Sequence, residues 1–531
     1  MAYCKLTFRN NFVIQMLVLA ALAIASASGL AAPAGGNVVQ GMATITYAPP
    51  VTRVELHTDD ALIEWQNFNL AAGETFEVVQ PSLRSRLVNR VQQNRFSDLR
   101  GTIQSNGQVL ILNADGVLHQ SSAIALVGGL VLSGLDLPSA NVMGNTFRLM
   151  NSETTRSGLV KNLGTIETTE GGNAVLVGQR VLNRGLITGE LANVALAVGR
   201  EANILFEPNG LINLNIVREE PKAPSKSSAQ LVNTGEIIVP SGRILLTGSR
   251  SSPVFKPLNE TAVASDSQIA VGSDAAFDLG AGVEIDNRGA LDASNPFTPD
   301  DFDRDGGAVV VIGDSIQHNS LISVSTEYMS VAGHIVMAAS DKVHLLESSQ
   351  LNAMAERHSI GGSIKILGKS IHICDGSLIV GDGGSIVIGG RGTQPTSQLI
   401  DTADIIVRSN LGVYGEFKLG FIHIKASDTV DVAGNIMARS ADGGDVEVIS
   451  GDRLKFDATV DISANSRSPS SDGTLLLQAK DLLMTPVESA WAINAPKLDQ
   501  EKNRAKVTLK AARDVVLLGK PSRLKLRKNY Q

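Results

Sequence analysis

The stretch Asp301-Phe-Asp303-Arg-Asp305-Gly306 comes nearest to a binding site by residue type and spacing. Carboxylates at alternate positions followed by Gly resemble the first half of a calcium loop, where oxygens converge on a hard cation. The position that should offer a bidentate Glu is Ile312, so a full EF-hand is excluded. Two readings stay open: a low-affinity calcium site at Asp301, Asp303 and Asp305, or a solvated acidic loop. No other cofactor is expected. His372-Ile-Cys374 places two soft ligands on one strand face. Zinc takes four, and no further ligand lies nearby in sequence, so Cys374 reads as a small buried side chain. Asp375, Asp382, Asp442 and Asp445 sit beside Gly pairs, where turns place solvated Asp anyway. Glycan hydrolases work with carboxylates gathered around one bond, and nothing in the spacing of these four gathers them. There is no Gly-x-Ser-x-Gly, no His-Glu-x-x-His and no phosphate-binding glycine loop. Aromatics are only 4% of the chain, too few for the stacking platforms of a carbohydrate groove. An enzyme is not expected.

The elements that would position such residues are short and numerous. The 531 residues include 51 Gly and 43% hydrophobic residues but just two Trp, which suits many thin layers of Val, Ile, Leu and Ala better than large aromatic-centred globules. A net charge of −7 gives no nucleic-acid signature. Lys5 and Arg9, an apolar run from Met16 to Ala27 and the small residues after it read as a signal peptide. Ala25-Ser26-Ala27 and Ala32-Pro33-Ala34 are its candidate cleavage sites. That run is shorter than the roughly 20 residues of a membrane span, and no other stretch approaches that length, so an exported chain without a transmembrane segment is expected. With Cys4 in the signal, Cys374 is left alone and no intramolecular disulfide can form.

Two patterns then recur. Asn162-Leu-Gly164-Thr-Ile166, Asn183-Arg-Gly185-Leu-Ile187, Asn233-Thr-Gly235-Glu-Ile237 and Asn287-Arg-Gly289-Ala-Leu291 share Asn-x-Gly-x-aliphatic. Gly171-Gly172, Gly306-Gly307, Gly361-Gly362, Gly383-Gly384 and Gly443-Gly444 each open a short apolar or alternating strand. Irregular periods of roughly 20–30 residues built from short strands predict a β-solenoid, because one coil cannot bury its inner face alone. Gly and Asn are expected to supply positive-φ corners, and Asn in successive coils to stack into a hydrogen-bond ladder. A β-sandwich array is the alternative, but hairpins would show two-residue Asn-Gly loops. The polar, Pro-bearing stretches 219–228 and 295–305 read as excursions from the coils. Residues 501–531 hold ten Lys and Arg against Glu501 and Asp514, a net +8 that leaves −15 on residues 1–500.

Four segments in order carry a family resemblance. They are Ala61–Leu70 with Trp65 and Phe68, Gln80-Pro-Ser82 with Leu87–Val91, Gln104–Val117 with its Asn113-Ala-Asp-Gly116 turn, and Val127–Asp136. Together they resemble the amino-terminal secretion domain of two-partner-secretion exoproteins, the filamentous-haemagglutinin-like family. The turn departs from the family's Asn-Pro-Asn-Gly pattern, with Ala114 and Asp115 at its centre; Asp tolerates similar geometry, so the turn is expected to survive. The resemblance implies an all-β, right-handed parallel β-helix with an amino-terminal cap and short extruded loops or hairpins. It implies export through an outer-membrane transporter of the TpsB type with periplasmic POTRA domains. Its recognition positions map to Asn89, Arg90, Val91, Asn113, Asp115 and Gly116, whose other role is to shape turns. The expected organisation is a signal at 1–34, a secretion domain at 35–218, a loop at 219–228, a solenoid passenger at 229–510, and a last coil with a basic tail at 511–531. The passenger reads first as an adhesin for a host-cell or surface receptor, next as a secreted binder of a host molecule or haem, and last as a β-helical glycan-active enzyme.

Overall fold

The computed structural model describes residues 32–517, apart from 93–94, 139–145, 152–157, 207–211, 218–229, 249–282, 297–303, 328–329, 357–358, 391–401, 415–419, 440–443, 462–473 and 485–505. Most of the signal segment, the whole loop at 219–228 and the basic tail lie outside these residues. Strands dominate and no α-helix occurs among the described residues, so none is long and apolar enough to cross a membrane.

The chain opens with β1 (Asn37–Gln40), β2 (Ala43–Ala48), β3 (Val51–Leu56) and β4 (Asp60–Trp65). Strand β1 pairs antiparallel with β4, and β2 with β3. Then the direction changes: β3 pairs parallel with β5 (Thr75–Val79) and β4 with β6 (Arg86–Val91). From there every coil lies parallel on the one before, through β7 (Ser97–Leu99), β8 (Thr102–Ser105), β9 (Gln108–Leu112), β10 (Gly116–His119) and β11 (Ile124–Ser133), to a last strand at Lys506–Leu517. This is a parallel β-helix with an antiparallel amino-terminal cap. The cap has a physical purpose. A parallel stack ends in a row of unpaired backbone groups, and antiparallel strands laid across that end close most of it.

One apolar column runs the length of the interior, from Val54 through Ile111, Leu176 and Ile335 to Leu477. Early coils have a second column outside the helix. The outward side chains Leu62, Leu110, Val131, Val175 and Val310 are buried there with Phe147, Leu149, Ile204 and Phe206. The cover is an antiparallel sheet of Thr146–Met150, Glu201–Phe206 and Ile212–Val217. Continuous runs such as Val109-Leu-Ile-Leu112 therefore bury both faces of a strand, whereas Ser363-Ile-Lys-Ile-Leu367 alternates because its outer face meets water.

The repeated Asn is not at a positive-φ corner, which corrects the sequence reading. It ends a strand and points inward, fully buried. The Gly of the Asn-x-Gly repeat is not at positive φ either, whereas Gly171 and Gly383 of the Gly-pair repeat are, as expected. Gly164, Gly185, Gly235 and Gly289 stack in a column, and a Cβ added to Gly185, Gly235 or Gly289 would collide with the carbonyl oxygen of the glycine below. Close coil stacking selects Gly here, not backbone handedness.

Candidate functional site: the cap and first coils

Three aromatics anchor the amino-terminal coils. Trp65, Phe68 and Phe76 are fully buried and meet edge to face, with centroids 5.6, 6.0 and 4.9 Å apart. The Trp65 indole donates to Asn89 Oδ1 at 2.9 Å, and Asn89 Nδ2 donates to the Leu110 carbonyl at 3.1 Å in the next coil. Asn89 therefore satisfies the one polar atom that a buried Trp brings with it, and ties three coils together. Gly36 of the cap packs against the Trp65 ring with no room for a Cβ.

The Gln80-Pro-Ser82 segment is also internal wiring. Gln80 Nε2 donates to the Ser85 and Gln108 carbonyls at 2.8 and 3.1 Å, and Ser105 Oγ donates to Gln80 Oε1 at 2.6 Å. Asn106 pairs with the Gln80 backbone on both sides. The turn at Asn113 closes with Gly116 N–H on the Asn113 carbonyl at 2.9 Å and Asp115 N–H on its Oδ1 at 3.0 Å. Gly116 has φ +122°, against the Leu159 backbone. The turn survives its Ala-Asp centre, as expected.

Of the six positions mapped as recognition residues, Asn89, Val91, Asn113 and Gly116 are buried, and Asp115 is half-buried. Arg90 holds Asp136 with two bonds at 2.9 Å and Glu64 at 3.2 Å, and the Asp136 bond raises its pKa. Beside it, Arg86 makes two 2.6 Å bonds to Asp60 and lies 5.4 and 5.2 Å from the Phe147 and Phe206 ring centres. It thus clamps the extra sheet onto the coils, a role that sequence reading missed because Phe147 is 61 positions away in the chain.

Residues 51–293 match the family model described as the TPS secretion domain. The chain carries a TPS secretion domain. The match runs from β3 into the coil at Leu291–Asp292, whereas the sequence reading places the domain at 35–218. A heme/hemopexin-binding protein of Haemophilus influenzae is 29% identical over 182 residues, covering 33% of this chain and 20% of that protein. A second heme/hemopexin-binding protein from Haemophilus influenzae is 25% identical over 158 residues, covering 29% and 17%. The chain thus spans about a fifth of the length of these curated relatives. The crystal structure of the HMW1 secretion domain from Haemophilus influenzae matches with TM-score 0.51 at 19% identity, covering 92% of this chain and 99% of that one. At that identity the likeness concerns the fold.

An open groove of about 420 Å³ crosses the secretion domain, lined by Glu77, Gln104, Asn106, Leu126 and Glu167 among others. Seven of the ten exposed large hydrophobics among the described residues, from Val39 to Leu126, belong to the cap and these first coils.

Further along the coils, the expected ladder is present and has unexpected ends. His119, Asn162, Asn183, Asn233, Asn287 and His318 stack in register, all fully buried. Asn162 donates to Asn183 and Asn183 to Asn233 at 2.8 Å, and Asn233 to Asn287 at 2.7 Å. Each end is a His at 2.8 Å through Nδ1. Since Asn162 offers Oδ1, His119 Nδ1 must carry the proton; since Asn287 offers Nδ2, His318 Nδ1 must be bare. All six bonding partners point one way along the helix axis. Burial pushes both histidines down to about 4, and at His318, whose Nδ1 must accept, the neutral ring is what the bond requires.

Of the calcium candidates, Asp301 and Asp303 lie outside the described residues. Asp305 Oδ1 accepts Val331 N–H at 2.8 Å, and burial raises its pKa. Asp442 also lies outside them, and Asp445 Oδ1 accepts the Thr474 hydroxyl at 2.5 Å.

Proposed function

We propose that this chain is an exoprotein of a two-partner system, exported to the cell surface or medium through an outer-membrane transporter that reads its secretion domain. What carries this reading is the TPS match over residues 51–293, together with the antiparallel cap on a parallel stack. Asn89 and Asn113 are buried in the folded coils, so a transporter that reads these positions reads the chain before it folds. Unfolded strands add to periplasmic POTRA domains by backbone pairing; outside, β4, β6 and β9 stack around Trp65, and each further coil finds a finished template. Stacking then biases movement outward. Co-expression with the cognate transporter tests this: deletion of residues 61–118 should hold the chain in the periplasm. Normal secretion of that deletion would sink the proposal.

For the exported protein, adhesion through the outward faces of the solenoid is the first reading. Capture of haem or a haem-carrying host protein is the second, supported by the names of the two curated relatives. Titration of the full chain with hemin tests the haem part of the second reading; an unshifted haem spectrum removes haem itself as the ligand.

A further inference from the structure

Beyond the secretion domain, the coiling assembles a ligand set that the linear sequence keeps apart. His344 and His372 are register partners on strands His334–Leu345 and Ser370–Ile373. Both point outward, between the buried pairs Val343 and Leu345 and Ile371 and Ile373. Their rings stack at 4.9 Å between centroids and 7° between planes. Cys374 follows directly, its N–H held by the Leu345 carbonyl at 2.9 Å. Its Sγ lies 3.5 Å from His344 Nε2 and 3.9 Å from His372 Nε2. The three ligand atoms all fall within 4.8 Å of one another, the one such group of His, Cys, Asp or Glu among the described residues.

These separations are close to what zinc imposes. With Zn–S about 2.3 Å and Zn–N about 2.05 Å, tetrahedral angles put sulfur about 3.6 Å from each nitrogen and the nitrogens about 3.3 Å apart. Both sulfur edges are near that value as they stand. The stacked rings aim their in-plane lone pairs side by side, so closing the histidine edge on one ion turns the imidazoles out of the stack, which a half-buried outward position permits. The charge around the site also suits a cation. Glu347 and Asp375 act on Cys374, against Lys342 on His344. The register neighbours Gln317 below and Ile406 above add no charge. We propose that His344, His372 and Cys374 bind one Zn²⁺, with Glu347, Asp375 or water in the fourth position, stapling two successive coils of the exported passenger. Three protein ligands and one open position are a recurrent zinc arrangement.

Cobalt(II) reports the test directly, because thiolate ligation gives a near-ultraviolet charge-transfer band and tetrahedral geometry gives strong visible bands. The full chain, in a Cys4→Ser background that leaves Cys374 as its one thiol, is titrated with Co²⁺ under reducing conditions. Zn²⁺ then displaces the cobalt. The expected result is one equivalent with both sets of bands. Cys374→Ser should abolish the charge-transfer band. His344→Ala and His372→Ala should each weaken Zn²⁺ by more than the roughly 10–100-fold that losing a mere outer-shell partner costs. His423→Ala, at a half-buried histidine elsewhere, should bind as the parent does. Circular dichroism checks that each variant keeps its strand content. A parent chain with only octahedral cobalt spectra, or a Cys374→Ser variant that retains both the band and the affinity, overturns the site.

Discussion

The ladder from His119 to His318 offers the sharpest test of how the early coils are held together. In Asn183→Ala, the Asn162 Nδ2 donor and the Asn233 Oδ1 acceptor both lose their partner. Each is buried beyond the reach of bulk water, and an orphaned buried polar group costs about 1–3 kcal/mol. The expected loss is about 2–6 kcal/mol, to which the small cavity adds. Global unfolding is a poor readout, since stacked coils need not melt as one unit. Native-state hydrogen exchange reads the coils directly: a loss near 3 kcal/mol lowers amide protection at Val160–Asn162, Val181–Asn183 and Leu231–Asn233 roughly 100-fold. The strands beyond Leu345 should change little. Asn183→Leu is the decisive companion, because it fills the cavity while leaving both neighbours orphaned. It should remain destabilised. Later coils hold Leu345, Ile373 and Val407 at the same register position, so an aliphatic side chain as such fits the site. If Asn183→Leu restores full protection, the cost lay in the void, and the hydrogen-bond reasoning is refuted.

The ladder also makes these coils sensitive to acid. His119 and His318 sit at about 4 when folded, against about 6.5 when unfolded, so the unfolded chain binds protons more readily and stability falls as pH drops from about 6.5 to about 4. Each contributes on the order of 3 kcal/mol above that window; amide protection around the ladder should drop from pH 7 to pH 4.5, and His119→Asn with His318→Asn should flatten that dependence. Arg86→Ala leaves Asp60 without its partner and frees Phe147 and Phe206, at a cost of about 3–5 kcal/mol for a broken buried pair. Limited proteolysis should then cut first in the extra sheet, between residues 146 and 217; an unchanged cleavage pattern would mean that apolar packing alone holds it.

Much of this architecture was legible in the chain. The Asn-x-Gly-x-aliphatic and Gly-pair repeats announced coils, because a periodic pattern of short strands can bury its apolar side chains only by stacking. The four segments from Ala61 to Asp136 announced the secretion domain, and the Asn113 turn formed despite its altered centre. The reasons behind some residues were not legible. Gly185 and Gly235 looked like positive-φ corners, yet their conformation is ordinary and their smallness is demanded by the coil beneath. Asn89, mapped as a recognition residue, also completes the hydrogen bonding of Trp65, a role its place in the sequence does not reveal.

What the sequence determined by itself was everything set by local period: strand length, coil repeat, the Asn column and the switch from doubly buried runs to alternating ones. Tertiary structure alone decided which coil lies on which. An excursion of any length between coils leaves the register intact, so sequence distance carries no information about axial distance. That is why Asn183 meets Asn233 across 50 residues, why Arg86 finds Phe147, and why His344 comes to stand beside His372 and Cys374.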